Sequence, residues 1–277
     1  MLNPNVNLTY LSKQEYTIYS KHLILEHIGI NGQKRLKEAK ILIIGVGGLG
    51  CPAMLYLIAS GIGHIGIIDD DTINANNLNR QILYNLNDIN YYKTHSAKRH
   101  LRNINTNCKI IIHNYKLIIE NAIEIIQYYD IIIDASDNFK TRYTIDQICY
   151  ILHKIHIYGA IQEFEGQVSV FNYKNNHQYS QMYDKKFKAI ANNCNNNGVI
   201  GIITGHIGII QATEAIKMIL GIGKILNNKL LICNLLNLSF KMITIYHLKV
   251  NNQLKYNTKI DAQSYLKKIF FKSKFNY

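Results

Sequence analysis

Short runs of β-branched residues recur along the chain, each bounded by turn-forming residues, and longer segments with helical spacing of apolar positions lie between them. Lys40 to Ile44, His64 to Asp69, Lys109 to His113, Asp130 to Asp134 and Ile155 to Tyr158 are almost continuously apolar inside. They read as strands buried on both faces. Leu49 to Ser60, Lys93 to Ile104, Ile119 to Tyr128 and Asn138 to His153 read as the intervening helices. This alternation predicts an α/β, Rossmann-like, mostly parallel sheet with helices on both faces. Past Gly159 the pattern changes. GQVSVFNY and KLLICNLLNLSFKMITIYHL read as antiparallel strands that extend the sheet in the C-terminal half. An Asn-rich segment and a helix from about Thr204 to Leu220 lie between them, with Ile207, Ile210, Ala215, Met218 and Ile219 as the helix's core stripe. A further helix, Ser12 to His27, precedes the first strand and is free to pack on a neighbouring chain. The organisation expected is one domain over 1–248: an N-terminal helical segment 1–39, a half of alternating strands and helices 40–159 and an antiparallel half 160–248. A basic tail, 249–277, follows.

Composition narrows the class. The chain has 277 residues, 48% of them apolar, which suits a globular protein with a sizeable core. No apolar run approaches the roughly 18 residues of a membrane span, so no membrane is expected. Cys51, Cys108, Cys149, Cys194 and Cys233 form no C-x-x-C pair, and a reducing compartment fits them. The net charge of +13 favours an anionic partner without choosing one, and seven lysines of the tail carry part of it as a solvated appendage. The abundance of Asn, Ile, Lys and Tyr matches A/T-rich codons, so a soluble protein of the cytoplasm or a plastid stroma is expected.

The chemistry concentrates around ILIIGVGGLG, Ile41 to Gly50, a strand leading through G-x-G-x-x-G into a helix. Gly45 permits the turn, Gly47 and Gly48 let backbone N–H groups approach phosphate, and Gly50 lets helix and strand pack closely. Cys51 reads as packing between helix and sheet. A second strand ends at Asp69, nineteen residues past Gly50, where an acid can bind a ribose hydroxyl. A nicotinamide oxidoreductase and an ATP enzyme explain these features equally well. The loop Asn76, Asn77, Leu78, Asn79, Arg80, followed by Lys93, separates them, because nucleotidyl transfer needs positive charge at the phosphates and hydride transfer does not. The bland alternatives are a surface ion pair for Arg80 and an ordinary helix start for Lys93. Asp137, in DIIIDASDN, suits Mg²⁺ as a hard carboxylate or the following helix as its N-cap; Ser136 or Asn138 could also cap.

Taken together these residues resemble the ubiquitin-activating-enzyme-like adenylyltransferases, in the MoeB and ThiF branch. The signposts are GVGGLG, Asp69 with Asp71, NLNRQ at Asn77 to Gln81, Lys93, DASDN at Asp134 to Asn138, EGQVSVF at Glu165 to Phe171, and the helix Gly205 to Lys217. The resemblance implies that Gly48 contacts phosphate and Asp69 holds the ribose. It further implies that Asn77, Arg80 and Lys93 surround the triphosphate, with Asn138 also at the nucleotide, while Asp137 positions Mg²⁺. The implied reaction joins ATP to the C-terminal Gly-Gly carboxylate of a ubiquitin-like sulfur carrier, MoaD-like for molybdopterin or ThiS-like for thiazole synthesis, in a homodimer. Molybdopterin is the first expectation.

The chain also departs from that pattern. The family's N-terminal arginine, which reaches the neighbouring subunit's site, is replaced by Lys21 in YSKHLIL, keeping the charge and losing the planar fork. Many members hold a zinc with two C-x-x-C pairs. Here Tyr179 and Met182 stand at the first pair and the second is missing, so no zinc is expected. Cys194, in NCNNNGVIG, falls where some members carry a sulfur-linking cysteine, against the plainer reading of a small buried thiol. The alternatives within the fold are a tRNA-modifying relative, disfavoured with other nucleic-acid binding because the basic excess is diffuse, and a non-catalytic partner-binding subunit.

Overall fold

The computed structural model describes residues 4–174, 177–183 and 198–245. Eight strands form one sheet in the order β3-β2-β1-β4-β5-β6-β7-β8. They are β1 (Lys40–Ile44), β2 (His64–Ile68), β3 (Lys109–His113), β4 (Ile131–Asp134), β5 (Ile155–Gln162), β6 (Glu165–Phe171), β7 (Lys229–Asn234) and β8 (Ser239–Thr244). Strands β1 to β5 pair in parallel, and β6, β7 and β8 are added antiparallel. The expected Rossmann-like sheet with its antiparallel extension is therefore present. The long apolar run from Lys229 resolves into a hairpin of β7 and β8.

Alternate residues of each central strand enter different cores, as the two-residue period of a strand requires. Ile41 and Ile43 of β1 and Ile131 and Ile133 of β4 join one apolar cluster, while Leu42, Ile44 and Ile132 join the other. The first is covered by α3 (Gly29–Glu38), α4 (Gly50–Ala59), α5 (Lys93–Ile104) and the long α9 (Gly201–Leu220); the second by α6 (Ile119–Ile126) and α7 (Phe139–Ile151). Burial on both faces explains why these strands read as unbroken apolar runs.

Two local features depart from expectation. The helix anticipated over Ser12 to His27 is instead α1 (Lys13–Ile18) and α2 (Ser20–Leu23), separated at Tyr19. A capping box starts α1, with Glu15 N–H donating to Ser12 Oγ (3.2 Å) and Ser12 N–H to Glu15 Oε2 (2.7 Å). The helix is interrupted at Tyr19 (φ −93°, ψ 13°), whose side chain is buried and whose hydroxyl accepts from Asn105 Nδ2, at the end of α5. The short helix α8 (Tyr179–Met182) occupies the position of the first cysteine pair. It is seated by Tyr179 and Ser180 N–H groups donating to the Asp146 carboxylate at 2.7 and 3.0 Å, and by packing of Tyr179 and Tyr183 with Tyr143, Tyr158 and Phe171.

Candidate functional site

The strand order reverses between β1 and β4, the switch point where open α/β sheets bind ligands beyond their carboxyl ends. Both loops leaving these strands carry sequence-predicted residues. Gly45 follows β1 with φ +95°, and a Cβ there would lie 2.6 Å from the carbonyl oxygen of Ala135 in the other loop. Only glycine fits that approach. A Cβ on Gly50 would lie 2.1 Å from the carbonyl oxygen of Gly45, so the second glycine is fixed by the tight strand-to-helix return. Cys51 is fully buried with its Sγ 3.6 Å from the Val46 carbonyl, and burial pushes its thiol up to about 12, in keeping with a packing role.

Asp69, just past β2, is tied to the glycine loop. Val46 N–H donates to Asp69 Oδ2 (2.7 Å) and Asp71 N–H to Oδ1 (2.9 Å). Burial raises its pKa, while Lys93 and these two backbone donors oppose the rise. Each oxygen keeps a further lone pair that a hydroxyl donor can use. Lys93 is the first residue of α5 and is buried, its ammonium 2.6 Å from Asp71 Oδ2 and 4.0 Å from Asp69 Oδ1. The Tyr84 hydroxyl donates to the Val46 carbonyl (2.8 Å) and lies 3.2 Å from that of Lys93, stitching the glycine loop to the start of α5. Asp69 and Lys93 are thus brought together at the mouth of the glycine loop.

The loop Asn76 to Arg80 begins within a 3₁₀ turn, Ala75–Asn77, and has its own internal supports. Asn77 is buried, accepts from Asn74 N–H (3.1 Å) through its side-chain oxygen and donates to Asn76 Oδ1. Leu78 packs against the larger apolar cluster. Arg80 donates through Nη1 to the Asn76 carbonyl (2.8 Å) and to Asn79 Oδ1 (3.0 Å), and it has no carboxylate partner among the described residues. The surface ion-pair reading of Arg80 is therefore not realised here. The turn is joined to α9, since Thr204 Oγ1 lies 3.3 Å from the Arg80 carbonyl and touches the Cβ position of Gly48. Gln81, which the residue-by-residue reading left without a role, is buried. Its amide nitrogen lies 3.6 Å from the Cβ position of Gly47, and its Oε1 has no hydrogen-bond partner. Its place in NLNRQ was the only signal.

The loop after β4 is fixed from beneath. Ser136 donates from N (3.0 Å) and Oγ (2.6 Å) to Asp134 Oδ1, and Arg142 Nη2 donates to the Ser136 carbonyl (2.9 Å). Asn138, not Asp137, caps α7, its Oδ1 accepting from Thr141 N–H at 2.9 Å. The capping reading of Asp137 is thereby displaced. Asp137 is exposed, and among the described residues its side chain has one hydrogen bond, from Asn138 Nδ2 at 3.4 Å. An exposed hard carboxylate beyond the carboxyl end of β4 fits a Mg²⁺ ligand.

Lys21 lies apart from this group. It is exposed on α2, two residues beyond Tyr19, which packs at Gly61 past the far end of α4. The ten residues of α4, about 15 Å of helix, separate that point from the glycine loop. Cys194 and the basic tail lie outside the described residues.

The ThiF family model matches residues 19–254. A probable molybdopterin-synthase adenylyltransferase of Porphyra purpurea is 50% identical over 249 residues, covering 89% of this chain and 65% of its own. One from Gracilaria tenuistipitata var. liui is 46% identical over 261 residues, with coverages of 91% and 74%. A probable adenylyltransferase/sulfurtransferase MoeZ of Mycobacterium tuberculosis is 38% identical over 245 residues, with coverages of 85% and 61%. The chain thus spans roughly two thirds of the length of these relatives. Among solved structures, E. coli MccB with ATP superposes with a TM-score of 0.75 at 22% identity, covering 90% of this chain and 74% of that one. PaaA gives 0.73 at 23%, with coverages of 87% and 78%. At that identity the likeness is one of fold.

Proposed function

The chain belongs to the ThiF family, and we propose that it is an adenylyltransferase that uses ATP to activate the C-terminal glycine carboxylate of a ubiquitin-like sulfur carrier for molybdopterin synthesis. The observation that carries this reading is the convergence of the glycine loop, Asp69, Lys93 and the Arg80 turn at one end of the sheet. The names of the similar proteins from Porphyra purpurea and Gracilaria tenuistipitata support the same activity.

In the reaction proposed, a carboxylate oxygen of the carrier attacks the α-phosphorus of ATP. The new P–O bond gives an acyl-adenylate, and cleavage of the α–β anhydride bond releases pyrophosphate. The nucleophile is already an anion, so no general base is required. The protein's work is alignment and charge neutralisation. Backbone N–H groups at Gly47 and Gly48 face phosphate, Asp69 accepts from the ribose, and Lys93 and Arg80 balance charge developing on the departing pyrophosphate. Asn76 to Asn79 carry Arg80, and Asn138 fixes the loop beside Asp137. Asp137 would hold a Mg²⁺ ion, which would supply further neutralisation of the phosphates when bound.

The remaining parts belong to the same proposal. The chain acts as one domain over 1–248, as a homodimer in which Lys21 serves the neighbouring subunit's site, since it lies far from its own. Cys194 is a candidate for sulfur linkage. A plastid stroma fits the A/T-rich composition.

ATP–pyrophosphate exchange with purified MoaD-like and ThiS-like proteins ending in Gly-Gly tests the reading. Exchange stimulated by the MoaD-like protein is expected, stimulation by the ThiS-like protein alone moves the assignment to thiazole synthesis, and exchange with neither by a protein that binds ATP overturns it. Thermal protection by NAD instead of ATP would favour an oxidoreductase.

A further inference from the structure

The ion pair between Lys93 and Asp71 is asymmetric. The Lys93 side chain is 7% exposed and that of Asp71 65%, at a separation of 2.6 Å. A nearly buried ammonium needs an anion beside it, because burial without compensation is costly. An exposed carboxylate has no such need, since water solvates it when the partner leaves. The backbone of Asp71 is held independently of its side chain. Its N–H donates to Asp69 Oδ1 (2.9 Å) and its carbonyl accepts from Lys93 N–H (3.0 Å). The carboxylate can therefore turn away from Lys93 without disturbing Asp69 or the start of α5. Asp69, the other acid within reach, is at 4.0 Å and already accepts from Val46 and Asp71.

We propose that Asp71 is a place-holder for nucleotide phosphate: it occupies Lys93 in the empty protein, gives it up when phosphate arrives, and by competing for the same ammonium sets a weaker nucleotide affinity. This inference rests on the ATP-binding reading above. Asp71 is a positioning residue here, since it acts through Lys93 and leaves the site's centre when the site fills.

Replacing the acid by its amide, Asp71→Asn, keeps the backbone hydrogen bonds and removes the competitor. The variant without nucleotide melts at a lower temperature, because Lys93 has lost its anion. With saturating ATP the melting temperatures of the two proteins converge, because phosphate supplies the anion in both. Calorimetric titration accordingly gives an ATP dissociation constant about three- to tenfold smaller for the variant, the size expected for removing one partly exposed competing charge. Asp71→Glu, which restores the competitor, returns the constant towards that of the unmodified protein. A gap in melting temperature that persists unchanged in ATP, or an affinity equal to or weaker than the unmodified protein's, overturns the place-holder role and leaves Asp71 a structural ion-pair partner. Failure of the unmodified protein to bind ATP overturns the reading on which the inference stands, and the inference with it.

Discussion

Asp134 of β4 and His156 of β5 meet diagonally on one face of the sheet, two positions out of register and both fully buried, with His156 Nε2 3.2 Å from Asp134 Oδ2. The other carboxylate oxygen holds Ser136, so a single buried acid supports the loop that presents Asp137. Removing it strands several polar groups at once. Asp134→Ala should cost about 3 kcal/mol in urea-induced unfolding, the scale for leaving buried partners unsatisfied. His156→Leu, which takes away a ring with one nitrogen already lacking a partner, should cost less.

Gly45→Ala tests the contact between the two loops at the switch point. An alanine there must hold φ near +95° and place its Cβ against the Ala135 carbonyl. A loss of about 2 kcal/mol or more in stability is expected, with nucleotide-induced thermal protection abolished. Retention of full ATP binding would contradict the glycine loop as the phosphate seat.

Arg80→Ala separates chemistry from folding. Among the described residues the side chain bonds only to its own turn, at Asn76 and Asn79, so the melting temperature should move little. Pyrophosphate exchange should fall by two to three orders of magnitude, corresponding to about 3 to 4 kcal/mol for a lost donor to transition-state charge. Near-normal exchange by the variant would remove Arg80 from the proposed charge clamp.

Asp137→Asn should raise the Mg²⁺ concentration needed for half-maximal exchange and lower the maximal rate. EDTA should abolish exchange in the unmodified protein, with recovery on adding Mg²⁺. An unchanged Mg²⁺ requirement in the variant would assign the ion to other residues.

Asp88 predicts a pH dependence. Burial alone would raise its pKa, but Asn85 N–H, His100 and Arg99 outweigh burial and hold it below the ordinary 3.8. A folded-state pKa depressed in this way contributes stability that is present above 3.8 and is lost as pH falls through the lower folded value. Asp88→Asn should therefore unfold in less urea than the unmodified protein at pH 7, and the gap should close as the pH drops below 3.8. A gap of constant size from pH 7 to pH 3 would show that the carboxylate's charge contributes nothing.

The parallel half of the fold was legible because β1, β2, β4 and β5, buried on both faces, write themselves as apolar runs, and glycine, aspartate and lysine fall at their ends; β3, at the sheet edge, reads the same way although Ile111 and its neighbours on one face are partly exposed. Helix α3 was not read. It begins at Gly29, contains Gly32, and carries Lys34, Arg35 and Lys37, so its apolar side is thin; burial comes from Gln33 and Leu36. The anticipated N-terminal helix is interrupted at Tyr19, whose hydroxyl accepts from Asn105, 86 positions away, a contact that no local periodicity encodes. The site's members were found through motif and position. Which of Ser136, Asp137 and Asn138 caps α7 depends on how the loop after β4 turns into the helix, since all three side chains suit the role. The Lys93–Asp71 pair was equally hidden: it depends on how a loop after β2 returns to the first turn of α5, 22 residues later.

The close approach of Gly45 to Ala135 has a mechanical meaning. Two loops from different strands share a space that has no room for one extra carbon, so the proposed seat for phosphate and the mount for Asp137 behave as one part. A displacement of either is transmitted to the other without a hinge between them. Engineering the pocket for a bulkier nucleotide would therefore have to begin at this shared wall, with both loops redesigned together.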